Sequence, residues 1–227
     1  MAHGHSVDEY LETIYFLAFP IGEYHPAKSG SPTLAARVAE MLGVTRASAG
    51  EMLKRLEAEG LIERGEQKEA ILTPAGRERA ERVVRKHRLV ERLLTDFMGY
   101  TAAESLEHAD ELGEAFTDDM IERIAERLGN PPRCPHGWPI DTATEQAENA
   151  QLAPLLEMEA GTRATIVRIA EHDGDLLHWF YEQGLEPGRE LEVREVHPEA
   201  AEITIAMDDT ERAIGEKAAA GLFVRAS

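Results

Sequence analysis

The chain has 227 residues and a formal net charge of -19 at pH 7, and 43% of its residues are hydrophobic. That length allows two or three small domains, each with a modest apolar core. A single cysteine excludes an internal disulfide and a cysteine-rich zinc site, and the lack of any run of 18 apolar residues in the sequence excludes a membrane-spanning helix.

The acidic excess lies almost entirely in the second half. Residues 1–100 carry 14 Lys and Arg against 15 Asp and Glu, whereas the remaining residues carry 10 against 28. This asymmetry suggests different partners for the two halves. Surface carboxylates keep a protein hydrated in concentrated salt, so the composition favours a halophilic protein, as in halophilic archaea, over an acidic mesophilic one. The start "MAHGHSVDEY" lacks the apolar core of a signal peptide, and we predict a cytoplasmic protein without membrane association.

The first 74 residues predict a winged helix-turn-helix domain. Apolar residues recur at helical spacing over 6–19, 33–43 and 46–60, and Thr45 is the predicted N-cap of the third helix. The segment "LIERGEQKEAILT" then predicts two short strands around a polar tip. Two helices joined by a short turn and followed by a hairpin are typical of domains that place the second helix in the DNA major groove. A winged fold that serves only as an interaction module is the alternative.

The predicted DNA-contacting side chains lie on the third helix and at the wing tip. Glu51 could accept a hydrogen bond from a cytosine amino group, or it could be an outward-facing halophilic acid. In concentrated salt, counterion release contributes little, so contacts to base edges must carry more of the affinity. The full predicted set is Thr45, Arg46, Ser48, Glu51, Lys54, Arg55 and Lys68.

The rest of the chain predicts a helical domain followed by a small β domain. Pro74 suits the first turn of a long helix, and two more helices are predicted over 102–116 and 117–129. Residues 130–151 lack periodicity and predict a connector. Four short strands and one helix then predict a half-open, SH3-like barrel. The fold class is mainly α, with a winged helix over 1–74, a helical domain over 75–140, a linker over 141–152 and an SH3-like domain over 153–227.

In four ordered places the sequence resembles the diphtheria-toxin-repressor family of metal-dependent regulators. The motifs are "EYLETIY", "EGLIER" with "LTPAGR", "VVRKHRLVERLLTD" and "CPHGWPI", while "GLEPG" and its flanking strands are similar to the FeoA-type SH3 fold. The resemblance implies a homodimer that binds double-stranded operator DNA when Mn(II) or Fe(II) is present and represses metal-uptake genes. The helical domain would then provide metal binding and dimerisation. The resemblance implies neither an enzyme nor an organic small-molecule substrate, and the sequence has no phosphate-binding loop or nucleophile elbow.

The resemblance assigns metal ligands to three helices, beginning with the first helix and the long one. Glu9 and Glu12 match the positions on helix one, three residues apart, so that both can face inward. His87 and Glu91 match the pair on the long helix. Without the resemblance, Glu9 and Glu12 could be first-turn acids favoured by the helix dipole. His87 and Glu91 could likewise be a solvated pair worth about 0.2–0.5 kcal/mol.

The helix after the long one departs from the family pattern. Asp110 takes the first ligand position, but Gly113 and Glu114 stand where the family has a Glu-His pair. Leu106 stands where an ancillary histidine is expected, and His108 is only a shifted substitute. The predicted metal ligands are Glu9, Glu12, His87, Glu91, Asp110 and Glu114, with His108 and Asp173 as further candidates.

Carboxylates with a single imidazole favour Mn(II), or otherwise Fe(II), because hard cations prefer oxygen ligands. The four carboxylates of Glu9, Glu12, Asp110 and Glu114 would repel one another without a cation, so a metal would tie helix one to the dimerisation helices. Cys134 and His136 form a metal-like motif without evident partners, which indicates a structural connector. Two other functions stay open: a winged-helix regulator with a degenerate, metal-independent site, and a non-DNA interaction protein that uses its FeoA-like domain.

Overall fold

The computed structural model describes residues 5–18, 34–64, 70–170, 174–208 and 210–227, without the side chains of residues 18, 107, 110 and 111. The chain forms two compact units, Met1–Lys86 and His87–Ser227, and the boundary falls inside one long helix. No described helix is both long and apolar enough to cross a membrane.

The first unit is the predicted winged helix-turn-helix. Thr45 caps the third helix as predicted, because its hydroxyl accepts a hydrogen bond from the Ser48 backbone N–H at 3.1 Å. The two strands of the wing pair antiparallel, and the wing tip, with Lys68, lies outside the described residues. The elements are α1 (Val7–Ala18), α2 (Leu34–Met41), α3 (Arg46–Ala58), β1 (Ile62–Arg64), β2 (Ala70–Leu72) and the first turns of α4 (Pro74–Asp96).

Helix α4 begins directly against the wing. The Thr73 hydroxyl donates to the Gly60 carbonyl at 2.7 Å and accepts from the Gly76 backbone N–H at 3.1 Å, so it caps the helix that Pro74 opens. A Cβ on Gly76 would lie 1.8 Å from the Leu61 carbonyl oxygen. Only glycine allows this close approach, which explains the residues of the "LTPAGR" motif.

The second unit continues α4 and adds a helical layer. α5 (Ala102–Ala115) and α6 (Asp118–Arg127) agree with the predicted helices to within two residues at each end. The predicted connector, however, contains a further helix, α7 (Thr142–Asn149), which Asp141 caps. The sequence did not predict α7, because this helix is short and polar and Glu145 is its only described buried residue.

An antiparallel sheet of six described strands forms the C-terminal domain, with strand order β3-β8-β4-β5-β6-β7. Its apolar core includes Ile166, Phe180 and Leu222. The four predicted strands and the predicted helix are confirmed, whereas β3, β7 and α9 were not predicted. The elements are β3 (Ala153–Pro154), β4 (Arg163–Ile169), α8 (Gly174–Glu182), β5 (Glu190–His197), β6 (Glu202–Met207), β7 (Thr210–Gly215), α9 (Glu216–Ala220) and β8 (Leu222–Ala226).

Candidate metal centre

His87 and Glu91 lie one turn apart on α4 and are both buried. Their side chains are 8% and 0% exposed, and His87 Nε2 lies 3.3 Å from Glu91 Oε1. Fully buried carboxylates are rare in proteins unless they are paired or bind a metal. The alternative of a solvated surface pair is therefore wrong.

The "CPHGWPI" connector forms a tight turn that docks on strand β4. The Cys134 backbone N–H donates to the Trp138 carbonyl at 2.8 Å, which closes the turn. The Ile169 N–H donates to the His136 carbonyl at 3.0 Å, and the Trp138 indole N–H donates to the Ile169 carbonyl at 2.8 Å. These bonds fix the backbone on both sides of the His136 side chain.

Gly137 is the residue that makes this docking possible. Its φ of +89° lies in the left-handed region, and a Cβ there would lie 2.0 Å from the Val167 carbonyl oxygen. A side chain at this position would push the turn off β4 as well as straining its backbone.

The docked turn brings His136 against Glu91. His136 Nε2 lies 3.0 Å from Glu91 Oε1, and both side chains are 0% exposed. On the other side of the ring, His136 Nδ1 lies 3.0 Å from the Tyr181 hydroxyl on α8. We call His87, Glu91 and His136 the imidazole cluster. Its third member was predicted to be structural, and the structure supplies the partner that the sequence did not reveal.

The donor atoms of the imidazole cluster are incompletely satisfied. Among the described residues, neither Glu91 Oε2 nor His136 Nε2 has a hydrogen-bond partner, although His136 Nε2 lies close to Glu91 Oε1. Burial alone would raise the pKa of the Glu91 carboxyl, but the charges and polar contacts of His136 and His87 outweigh it and lower the pKa. Glu91 is therefore a buried carboxylate anion that depends on nearby positive charge.

The donor set of this cluster fits a divalent cation. Imidazole nitrogen and carboxylate oxygen are common ligands of divalent first-row metals, and the two imidazole nitrogens lie 3.3 Å and 3.0 Å from Glu91 Oε1. Within the described part of the chain, no group of three or more His, Cys, Asp and Glu side chains is already arranged to hold a metal. The three donors of the cluster touch directly and would have to separate slightly to admit an ion.

The predicted ligands of helix one lie in the first unit. Glu9 completes a capping box at the start of α1, where it accepts from the Ser6 N–H at 2.5 Å while the Ser6 hydroxyl accepts from the Glu9 N–H at 3.2 Å. His5 Nδ1 also lies 2.8 Å from the Glu9 carboxylate. Glu12 is buried. Ligation by these two acids stays a prediction.

The remaining predicted ligands are not brought to the imidazole cluster by any described contact. Glu114 is exposed on α5, and His108 is exposed with its ring 5.3 Å from that of Tyr100. The Asp110 side chain and the whole of Asp173 lie outside the described residues.

The predicted DNA-contacting side chains of α3 are solvent-exposed. Lys54 pairs with Glu51 at 2.9 Å, and Arg55 pairs with Glu59 at 2.8 Å. Exposed pairs of this kind contribute about 0.3–0.5 kcal/mol, so these cations can exchange their carboxylate partners for phosphate at little cost. Thr45, Arg46 and Ser48 are exposed at the start of the helix.

A second buried polar cluster, which we call the guanidinium cluster, lies beside the first. Arg88 pairs with Glu145, and two guanidinium groups lie near the Trp138 ring, with Arg88 Cζ 5.4 Å and Arg168 Cζ 4.9 Å from its centroid. Arg168 Nη2 also lies 2.8 Å from the Glu148 carboxylate. The cluster joins α4, the connector, α7 and β4. Its members are Arg88, Trp138, Glu145, Glu148 and Arg168.

Glu148 also pairs with Arg133. Burial tends to raise the pKa of the Glu148 carboxyl, but hydrogen bonds and charges from Arg133 and Arg168 lower it to about 2. Glu148 therefore stays ionised throughout the neutral range.

Comparisons with known proteins cover nearly the whole chain. Residues 4–70 match the iron dependent repressor N-terminal DNA binding domain, residues 73–142 match the iron dependent repressor metal binding and dimerisation domain, and residues 153–226 match the FeoA domain. The iron-dependent repressor IdeR of Mycobacterium tuberculosis is 31% identical over 200 residues, which span 83% of each chain. The diphtheria toxin repressor of Corynebacterium diphtheriae is 33% identical over 135 residues, 60% of this chain and 56% of the relative.

Solved structures agree with this assignment. A manganese-dependent transcriptional repressor in complex with manganese superposes with a TM-score of 0.84 at 29% identity, covering 98% of this chain and 100% of the other. IdeR of T. acidophilum gives a TM-score of 0.81 at 27% identity, covering 99% and 100%. The chain therefore belongs to the iron-dependent repressor family, whose members are metal-dependent transcriptional repressors with an N-terminal DNA-binding domain and not enzymes.

Proposed function

We propose that this protein represses metal-uptake genes when Fe(II) or Mn(II) binds to His87, Glu91 and His136. The observation that carries the proposal is Glu91, a fully buried carboxylate between two imidazoles, with one oxygen that lacks a hydrogen-bond partner among the described residues. A bound divalent cation would supply the positive charge that this carboxylate needs.

The ligand chemistry narrows the choice of metal. Two imidazole nitrogens and one carboxylate suit Fe(II) and Mn(II), because imidazole is a good ligand for iron and carboxylate for manganese. The sequence favoured Mn(II) because His87 was the only predicted nitrogen ligand. With His136 as a second nitrogen ligand, the preference for Mn(II) over Fe(II) is weaker. Asp173 remains a candidate for completing this site, and Glu9, Glu12, Asp110 and Glu114 remain candidates for a second one.

Helix α4 connects the proposed metal site to the winged helix-turn-helix unit. Its first turn is capped by Thr73 against the wing, and its later turns carry His87 and Glu91. Because both features belong to one continuous helix, restraining that helix at Glu91 also restrains the end that supports the wing. The expected partner of that unit is double-stranded operator DNA, read by α3.

We also propose that the protein acts as a homodimer. The loop after α4 exposes Phe97 and Met98, which are 81% and 55% accessible, and Tyr100 is also exposed. These three residues lie close together along the chain, and exposed apolar patches are typical of protein interfaces. A homodimer places two recognition helices on successive major grooves of a palindromic operator.

The deciding experiment measures whether metal controls DNA binding. Sequences would be selected from a random duplex library by the wild-type protein with Fe(II) or Mn(II), without oxygen and in molar KCl to suit a halophilic protein. We expect metal to tighten binding of the selected duplex by about 5–150-fold.

His87→Ala should lose this response, and His197→Ala, which changes a histidine paired with surface acids on β5, should keep it. Equal affinity of the wild type for the duplex with and without metal would overturn the proposal.

A further inference from the structure

Gly50 lies in the interior of α3, where the fold itself gives no reason for a glycine. After proline, glycine is the residue that least favours a helix interior. Gly137 is explained by its left-handed backbone and Gly76 by a close neighbour. Gly50 has neither feature, because its φ is not positive and an added Cβ would meet no other part of the described chain within 4 Å. Glycine at this position therefore weakens α3 without improving any described contact.

Two cations flank Gly50 along the helix. Residues four apart lie next to each other on one side of a helix, so Arg46, Gly50 and Lys54 follow one another on the same side. Both cations are exposed, and they are eight residues apart, which is about 12 Å along the helix axis. Because Gly50 has no side chain, the space between the two cations is open to the helix backbone. We call this space the glycine notch.

The position of the glycine notch around α3 favours a phosphate over a base edge. The buried side of the helix is formed by Ala49, Leu53 and Leu56. Each residue turns the helix by about 100°, so Glu51 lies opposite that buried side and Gly50 lies on the flank. A helix in the major groove directs its outermost side at the base edges, and its flanks face the sugar-phosphate walls of the groove.

The chemistry of the glycine notch also suits a phosphate. Arginine and lysine both bind phosphate oxygens, and the absence of a Cβ allows the helix backbone to come close to the ligand. In concentrated salt, exposed charges are strongly screened, whereas partly buried charges are screened much less. A phosphate packed against the helix at Gly50 would be partly shielded from solvent ions. Its attraction to Arg46 and Lys54 would therefore survive in high salt better than that of an exposed phosphate.

We propose that Gly50 is a positioning residue for operator binding, because it lets a DNA backbone phosphate pack against α3 between Arg46 and Lys54. This inference rests on the proposed function, since it takes α3 to be the helix that reads DNA. A phosphate contact fixes the position of α3 on the duplex without reading its sequence.

The test compares Gly50→Ala with the wild type, both loaded with Mn(II) in molar KCl. Alanine favours a helix more than glycine does, so the variant should unfold at a higher urea concentration. Its affinity for the selected duplex should nevertheless fall by about tenfold or more, because the added methyl group fills the glycine notch. The same loss is expected for a duplex with one substituted base pair, since a phosphate contact is independent of sequence.

Gly215→Ala is the matched control. Gly215 precedes α9 in the FeoA-like domain, and a Cβ added there also meets nothing within 4 Å. This variant should bind both duplexes as tightly as the wild type does.

The possible outcomes separate this inference from the proposed function. Unchanged DNA affinity in Gly50→Ala, or unfolding at a lower urea concentration, would overturn the role of Gly50. A loss that differs between the two duplexes would indicate a base contact and overturn the phosphate contact. A wild type that binds its duplex equally well with and without metal would overturn the proposed function alone, because the comparison of Gly50→Ala with the wild type needs only DNA binding.

Discussion

The imidazole cluster and the guanidinium cluster use neighbouring residues for opposite purposes. His87 and Arg88 are adjacent on α4, and His136 and Trp138 are almost adjacent in the connector. In the guanidinium cluster, Arg88 and Arg168 carry permanent charges that neutralise their carboxylates. In the imidazole cluster, the bases can be neutral, and they then leave Glu91 dependent on a proton or a metal.

This difference shows how buried charge can be either structural or functional. A carboxylate paired with arginine is neutralised at every physiological pH, so it holds elements together without responding to conditions. A carboxylate between imidazoles is only conditionally neutralised, so its environment can respond to a cation. Burial alone does not distinguish the two roles, because Glu91 and Glu145 are equally inaccessible, at 0% and 1%.

The largest expected effect is on stability, from Glu145→Gln. Removing this charge leaves Arg88 buried without its counterion, which should cost about 3–5 kcal/mol. The matched change Glu91→Gln should cost less in metal-free protein, because it leaves no arginine without its counterion. Urea unfolding in molar KCl measures both, and equal losses would contradict the distinction between the clusters.

The next effect is on metal binding, from His136→Ala. Loss of a ligand should weaken Fe(II) or Mn(II) binding by about 100-fold or more, which corresponds to about 2.7 kcal/mol. Calorimetric titration at high salt measures the affinity. Arg168→Lys, a change in the guanidinium cluster, should leave the affinity unaltered. Wild-type affinity in His136→Ala would exclude this histidine as a ligand.

Gly137→Ala should damage both clusters at once, because both depend on the docked connector. The left-handed backbone alone should cost about 1–3 kcal/mol, and the clash with Val167 should displace the turn and weaken metal binding as well. Gly161→Ala is the matched control, since Gly161 has a φ of +86° but no neighbouring atom within 4 Å of an added Cβ. Gly161→Ala should lower the free energy of unfolding without changing metal affinity. If both variants bound the metal with equal affinity, docking of the connector on β4 would not be what supports metal binding.

The smallest effect should appear only in acid, at Glu148. Its pKa is lowered from 4.5 to about 2 in the folded protein, so its stabilising contribution is complete above pH 4.5 and is lost as the pH falls towards 2. Glu148→Gln should therefore flatten the pH dependence of unfolding in that window. If the free energy of unfolding of Glu148→Gln fell as steeply with pH as that of the wild type, carboxylates other than Glu148 would be responsible for the acid sensitivity.

Much of this molecule was accessible from local sequence signals. Thr45 and Pro74 marked the starts of α3 and α4 correctly, because capping and first-turn chemistry act over a few residues. Helix α7 was not predicted because its eight mostly polar residues carry too little periodicity, and its one described buried side chain, Glu145, is charged. The edge strand β7 lacks an apolar alternation, so pairing with β6 defines it.

The sequence by itself determined the winged helix-turn-helix, the SH3-like fold of the C-terminal part and the placement of His87 one turn before Glu91. Only the tertiary structure decided what surrounds that pair. His136 comes from a distant connector and reaches Glu91 because Gly137 lets a tight turn lie directly on β4. Spacing along a helix is a local property that a sequence encodes openly, whereas a contact between separate elements depends on packing, which no short stretch of sequence contains.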